Sequence, residues 1–88
     1  MGFTIPVMTN SLHTPEYAEF CKLLVKLREK SGITQATIAE RLGVHQSFVS
    51  KYEGGERRVD VIEFLRICKA LKADPADVLA SLKKRISV

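Results

Sequence analysis

Tryptophan is missing from the 88 residues, and four Phe with two Tyr make up all the aromatics. The chain therefore has too few rings to build a large aromatic pocket. No run of about 18 apolar residues occurs, so no membrane span is expected. The first residues, Met1 to Thr14, lack a basic n-region and a sustained apolar core, and the protein is expected in the cytoplasm. Histidine is scarce: His13 and His45 lie 32 positions apart, and no cluster of Cys or carboxylates accompanies either at ligand spacing. No metal site is expected. The two cysteines, Cys21 and Cys68, are spaced for neither a zinc site nor a redox CxxC pair. They read as reduced thiols in helical core positions, since disulfides are rare in a cytosol. No glycine-rich phosphate loop follows a strand pattern, because Gly54-Gly55 closes a helix. No Ser has a His placed as its base. Neither an enzymatic site nor a cofactor is expected.

What is present is ordinary globular material with a basic balance. Lys and Arg number 14 against 10 Asp and Glu, giving a net charge of +4, with 45% hydrophobic and 27% charged residues. Such a chain is too apolar to be disordered. Its length makes one domain that buries only about 60 to 65% of its unfolded surface, so the core is modest. The positive balance suits a nucleic-acid partner without specifying one.

The informative stretch is Thr34 to Gly55, TQATIAERLGVHQSFVSKYEGG. Thr34 is a helix N-cap, and Gly43 is a residue free to adopt the left-handed conformation that ends a helix. The spacing predicts a helix over Gln35 to Leu42, a tight corner at Gly43, and a second helix over about Gln46 to Glu53 that stops at Gly54-Gly55. Ile38, Ala39, Leu42, Val44, Val49 and Tyr52 supply one shared core. Subtracting them leaves Gln46, Ser47, Ser50 and Lys51 on the outer face of the second helix. These are hydrogen-bonding groups: Gln can pair bidentately with adenine, Lys can donate to guanine, and Ser can meet a base or a phosphate. Phe48 either seals the motif or touches a thymine methyl.

In the order Thr34-Gln35, Ile38-Ala39, Leu42-Gly43-Val44, Gln46-Ser47, Val49-Ser50-Lys51, Glu53, Gly55 and Arg57-Arg58, the segment resembles the helix-turn-helix of the lambda-repressor-like family, the Cro or xenobiotic-response-element type. With flanking helices the resemblance covers roughly Pro15 to Leu82. It implies an all-α, compact five-helix domain whose second and third helices form the motif. It further implies that the third helix enters the major groove and that two copies bind paired half-sites. Two positions depart from the family pattern. His45 stands at the N-cap of the recognition helix where Ser or Thr is common, a poorer cap that could reach a phosphate instead. Thr37 replaces the Glu that would complete a capping box with Thr34.

The resemblance also implies an ion pair between Arg28 and Glu53. A physical motive agrees with it, because an anion at a helix C-terminus needs a cation nearby. Gln35, beside free N–H groups at its helix N-terminus, is expected on a phosphate, as are Arg57 and Arg58 in the loop after the recognition helix.

Around the motif, residues 1 to 13 carry no helical period and read as an arm. Thr14-Pro15-Glu16 opens the first helix, whose core face is Phe20, Leu23, Leu24 and Leu27, and Gly32 ends it. Asp60 and Glu63 have capping-box spacing at the start of a fourth helix that is expected to pack through Val61, Phe64, Leu65, Cys68 and Leu71. Asp74-Pro75 opens a fifth helix with Val78, Leu79 and Leu82. The domain is expected over residues 14–83, with 84–88 as a tail, and Ile86 and Val88 extend an apolar line suited to a dimer contact. The function expected is that of a sequence-specific double-stranded-DNA-binding regulator, a repressor acting as a homodimer on a pseudo-palindromic operator. The alternative is a protein-interaction module, such as the antitoxin of a toxin–antitoxin pair.

Overall fold

A computed structural model describes residues 14–86, and the arm over residues 1–13, with Val88, lies outside the described residues. The described residues form five α-helices: α1 Pro15–Lys30, α2 Gln35–Leu42, α3 Gln46–Glu53, α4 Val61–Leu71 and α5 Pro75–Arg85. Local chemistry sets most of their ends. The Thr14 and Thr34 hydroxyls accept the Tyr17 and Thr37 backbone N–H groups at 3.1 Å. Gly43, with φ +71°, turns the chain from α2 into α3 in a conformation a side chain resists. Asp60 and Glu63 complete the capping box of α4: Asp60 Oδ1 accepts from the Glu63 N–H at 2.8 Å, and Glu63 Oε1 from the Asp60 N–H at 3.0 Å. Lys72 closes α4 at φ +58°, the one non-glycine residue with positive φ among those described.

The core gathers Leu23 and Leu24 of α1, Ile38 and Ala39 of α2, Val49 and Tyr52 of α3, Phe64, Ile67, Cys68 and Leu71 of α4, and Val78 of α5. Short helices of this kind are stable only through such packing. Leu42 and Val44 are half-buried at its rim. Cys21 and Cys68 are free buried thiols, and burial pushes both up from the usual thiol range.

The apolar face of α4 differs from the expected one. Val61 is 71% and Leu65 44% exposed, and the buried stripe instead includes Ile67. At about 100° per residue, Phe64, Ile67, Cys68 and Leu71 share one side, which leaves Val61 and Leu65 on its flank. Leu79 is likewise exposed, while Val78 is buried and Leu82 half-buried. α5 continues to Arg85, so residues 84 and 85 complete its last turn, where the expected tail would begin. Arg85 there reaches Glu19 of α1 at 3.4 Å.

Candidate nucleic-acid interface

α3 is held from below and open above. Val49 and Tyr52 are buried at 0% and 1% exposure, and Gln46, Ser47, Ser50 and Lys51 are all exposed. Their spacing of one, three and one residues puts them on one helical face. Phe48 belongs to the packed side: it is half-buried against the core and meets Tyr52 edge-on, with ring centroids 5.7 Å apart. That is the sealing role of the two open to it.

His45 caps α3, a better cap than its residue type suggests. Its Nδ1 accepts the Ser47 backbone N–H at 3.1 Å and lies 3.0 Å from the Ser47 hydroxyl. A ring nitrogen that accepts carries no proton, so the neutral ring is protonated on Nε2. The Ser47 hydroxyl thereby has an internal neighbour as well as a solvent-facing position.

The far end of α3 is fixed by charge. Arg28 Nε donates to Glu53 Oε2 at 2.7 Å and Nη2 to Oε1 at 3.1 Å, while Nη1 donates to the Ile33 carbonyl at 2.9 Å. The side chains are only 14% and 5% exposed. Gln35 Nε2 adds a bond to Glu53 Oε1 at 2.9 Å. One carboxylate thus ties together α1, α2 and α3. That bond leaves the Gln35 side chain one further amide hydrogen to donate.

Arg57 and Arg58 diverge. Arg57 forms a bidentate pair with Glu63, both bonds 2.9 Å, and its Nη1 also donates to the Arg58 carbonyl. Its guanidinium lies 4.5 Å from the Phe48 ring centroid. Arg58 lies 4.2 Å over the Tyr17 ring. Tyr17 then secures the loop itself, its hydroxyl accepting from the Val59 N–H at 2.9 Å and donating to the Arg57 carbonyl at 3.3 Å. Burial is the first cause that raises this phenol above its ordinary range.

Tyr17 and the Arg57 partnership of Glu63 are the site features that sequence reasoning missed. Tyr17 shares a helical stripe with Cys21 and Leu24, a signal that was there to be read. The Arg57–Glu63 pair crosses a loop and leaves no periodic trace. Among the described residues no group of three or more His, Cys, Asp or Glu could hold a metal ion, and no helix is long and apolar enough to cross a membrane.

A family model described as a helix-turn-helix domain matches residues 19–81. An XRE-family-like protein from Pseudomonas syringae pv. tomato is 42% identical, with 92% of this chain and 99% of that one covered and a TM-score of 0.81. The chain belongs to the lambda-repressor-like, XRE-type helix-turn-helix family. The restriction-modification controller protein C.AhdI from Aeromonas hydrophila is 30% identical over 72% of this chain and 91% of its own, at TM-score 0.67. The clp gene regulator ClgR from C. glutamicum is 25% identical over 86% and 99%, at TM-score 0.74. No curated protein sequence matches significantly. The all-α helix-turn-helix architecture follows from both the family match and the described helices. α2 and α3 are the two helices of its motif.

Proposed function

We propose that this XRE-type protein is a sequence-specific double-stranded-DNA-binding transcriptional regulator that acts in the cytoplasm as a homodimer and represses. Membership in a family of DNA-binding regulators supports the coarse statement. The observation that carries the finer one is the exposed face of Gln46, Ser47, Ser50 and Lys51 on a helix whose other side is locked into the core. In this reading Gln46, Ser47 and Lys51 read base edges in the major groove, and Ser50 meets a base or a phosphate. Gln35, His45 and Arg58 hold phosphates and fix the docking register. A domain this small can repress simply by covering a promoter.

Among the described residues, Val61, Ile62, Leu65 and Leu79 are the exposed large aliphatics. Three of them cluster at the start of α4, just beyond the loop that follows the recognition helix. They support a protein contact, which the homodimer reading assigns to a second copy. The same residues favour the second reading, an antitoxin-like module, if the contact is with a different chain.

Selection of bound duplexes from a random pool at physiological ionic strength tests the proposal. Enrichment of a pseudo-palindrome with half-sites about one helical turn apart is the expected outcome. Binding without enrichment that vanishes as salt rises would leave only nonspecific attraction. Copurification with a second protein would turn the reading toward the antitoxin-like module.

A further inference from the structure

Arg57 is the first cation that follows the recognition helix in sequence, yet its guanidinium is engaged within the protein. Both terminal nitrogens donate to Glu63 at 2.9 Å, and the group stacks on Phe48 of α3 at 4.5 Å. Its backbone is held as well, with its N–H on the Lys51 carbonyl at 3.3 Å and its carbonyl bound by the Tyr17 hydroxyl at 3.3 Å. Glu63 is equally fixed, because its Oε1 also accepts from the Asp60 N–H in the cap of α4. Arg57 is therefore the junction at which α1, α3 and α4 meet.

We propose that Glu63 is a specificity-determining positioning residue, which withholds Arg57 from the DNA phosphates and uses it as a strut across Phe48 to set the tilt of α3. This rests on the DNA-binding reading above. Planar, bidentate pairing with a carboxylate occupies the same fork that would grip a phosphate. A guanidinium so occupied adds no sequence-independent attraction, and a recognition helix braced against α4 brings Gln46, Ser47, Ser50 and Lys51 to the bases in one geometry. Released, Arg57 would strengthen binding to every sequence and loosen the brace that permits discrimination. The expectation of a phosphate contact is thus kept for Arg58 and replaced for Arg57.

The test is Glu63→Gln. It keeps an oxygen to accept the Asp60 N–H but removes the charge that holds Arg57. Binding to the duplex enriched from the random pool and to a scrambled duplex of equal length is measured across a salt series. We expect tighter binding of Glu63→Gln to scrambled DNA, with a log–log salt slope steeper by about 0.9, the value for one added phosphate contact. The ratio of enriched to scrambled affinity should fall by about tenfold, within the range one base contact contributes. Adding Arg57→Ala to Glu63→Gln should return the slope to the wild-type value. In the wild-type background Arg57→Ala should leave the scrambled-DNA slope unchanged, which keeps the proposal testable should Glu63→Gln fail to fold. A slope in Arg57→Ala that is shallower by about 0.9 would overturn the proposal, because it would place Arg57 on a phosphate. An unchanged slope in a folded Glu63→Gln would also overturn it. A purely structural role would lower the melting temperature and move neither slope. The underlying reading fails separately, if the wild-type protein binds neither duplex, and the proposal falls with it.

Discussion

Single side chains join distant parts of this small fold, and their removal should be felt well beyond their size. Arg28 offsets a Glu53 carboxylate that is only 5% exposed. Arg28→Ala leaves that charge buried with only the Gln35 amide beside it, and should destabilise the protein by roughly 3 to 5 kcal/mol. Urea unfolding followed by circular dichroism measures this, and a wild-type midpoint would mean the pair contributes nothing to the fold. Tyr17→Phe is subtler. It keeps the ring under Arg58 but strips the acceptor from the Val59 N–H at 2.9 Å, for an expected loss of about 1 to 2 kcal/mol. The two residues also differ in how far they could be read. Arg28 was legible through the resemblance and the helix dipole. The Tyr17 hydroxyl bonds residues 40 and 42 positions away, a distance at which no local pattern speaks.

Helix starts were legible because the groups that satisfy them sit in adjacent sequence: Thr14, Thr34, Asp60 and Asp74 each accept a first-turn N–H. The Gly43 corner was legible for the same reason. The inward face of α4 was not, since Val61 and Leu65 are as apolar as Ile67 and only the packing of neighbouring helices decides between them. The end of α4 was hidden too, as Lys72 adopts the left-handed conformation that glycine usually supplies. Lys72→Gly removes that strain and should stabilise the protein by up to about 1 kcal/mol. A lower melting temperature in this variant would show that the Lys72 side chain matters more than its backbone. At the other end of α4, the Arg57 guanidinium first, and then the Asp60 N–H, hold the Glu63 carboxyl below the usual range. A depressed folded value adds stability that is present above the unfolded value, about 4.3, and is lost as pH falls through the folded one. The melting temperature of Glu63→Gln should therefore lie below wild type at neutral pH, and the two curves should converge in acid. Parallel curves down to pH 2 would show that the pair does not stabilise the fold.

Over the whole molecule, the proposed function assigns a general attraction to DNA to the net charge of +4, and the part that depends on sequence to the exposed face of α3. The two contributions separate under salt, because counterion release follows phosphate contacts and not base contacts. Gln46 carries no charge and stands on the outer face of α3. Gln46→Ala should lose about 1 to 3 kcal/mol on the enriched duplex, relax the preference at one base pair, and leave the salt slope alone. Arg58, stacked on Tyr17 at 4.2 Å and carried on the loop that the same tyrosine braces, should behave in the opposite way. Arg58→Ala is expected to weaken enriched and scrambled duplexes alike and to lower the slope by about one. Binding titrations on both duplexes at several salt concentrations measure all of these quantities together. If both variants lose the same affinity on every sequence, α3 is not reading bases, and the attraction belongs to the charge of the whole molecule.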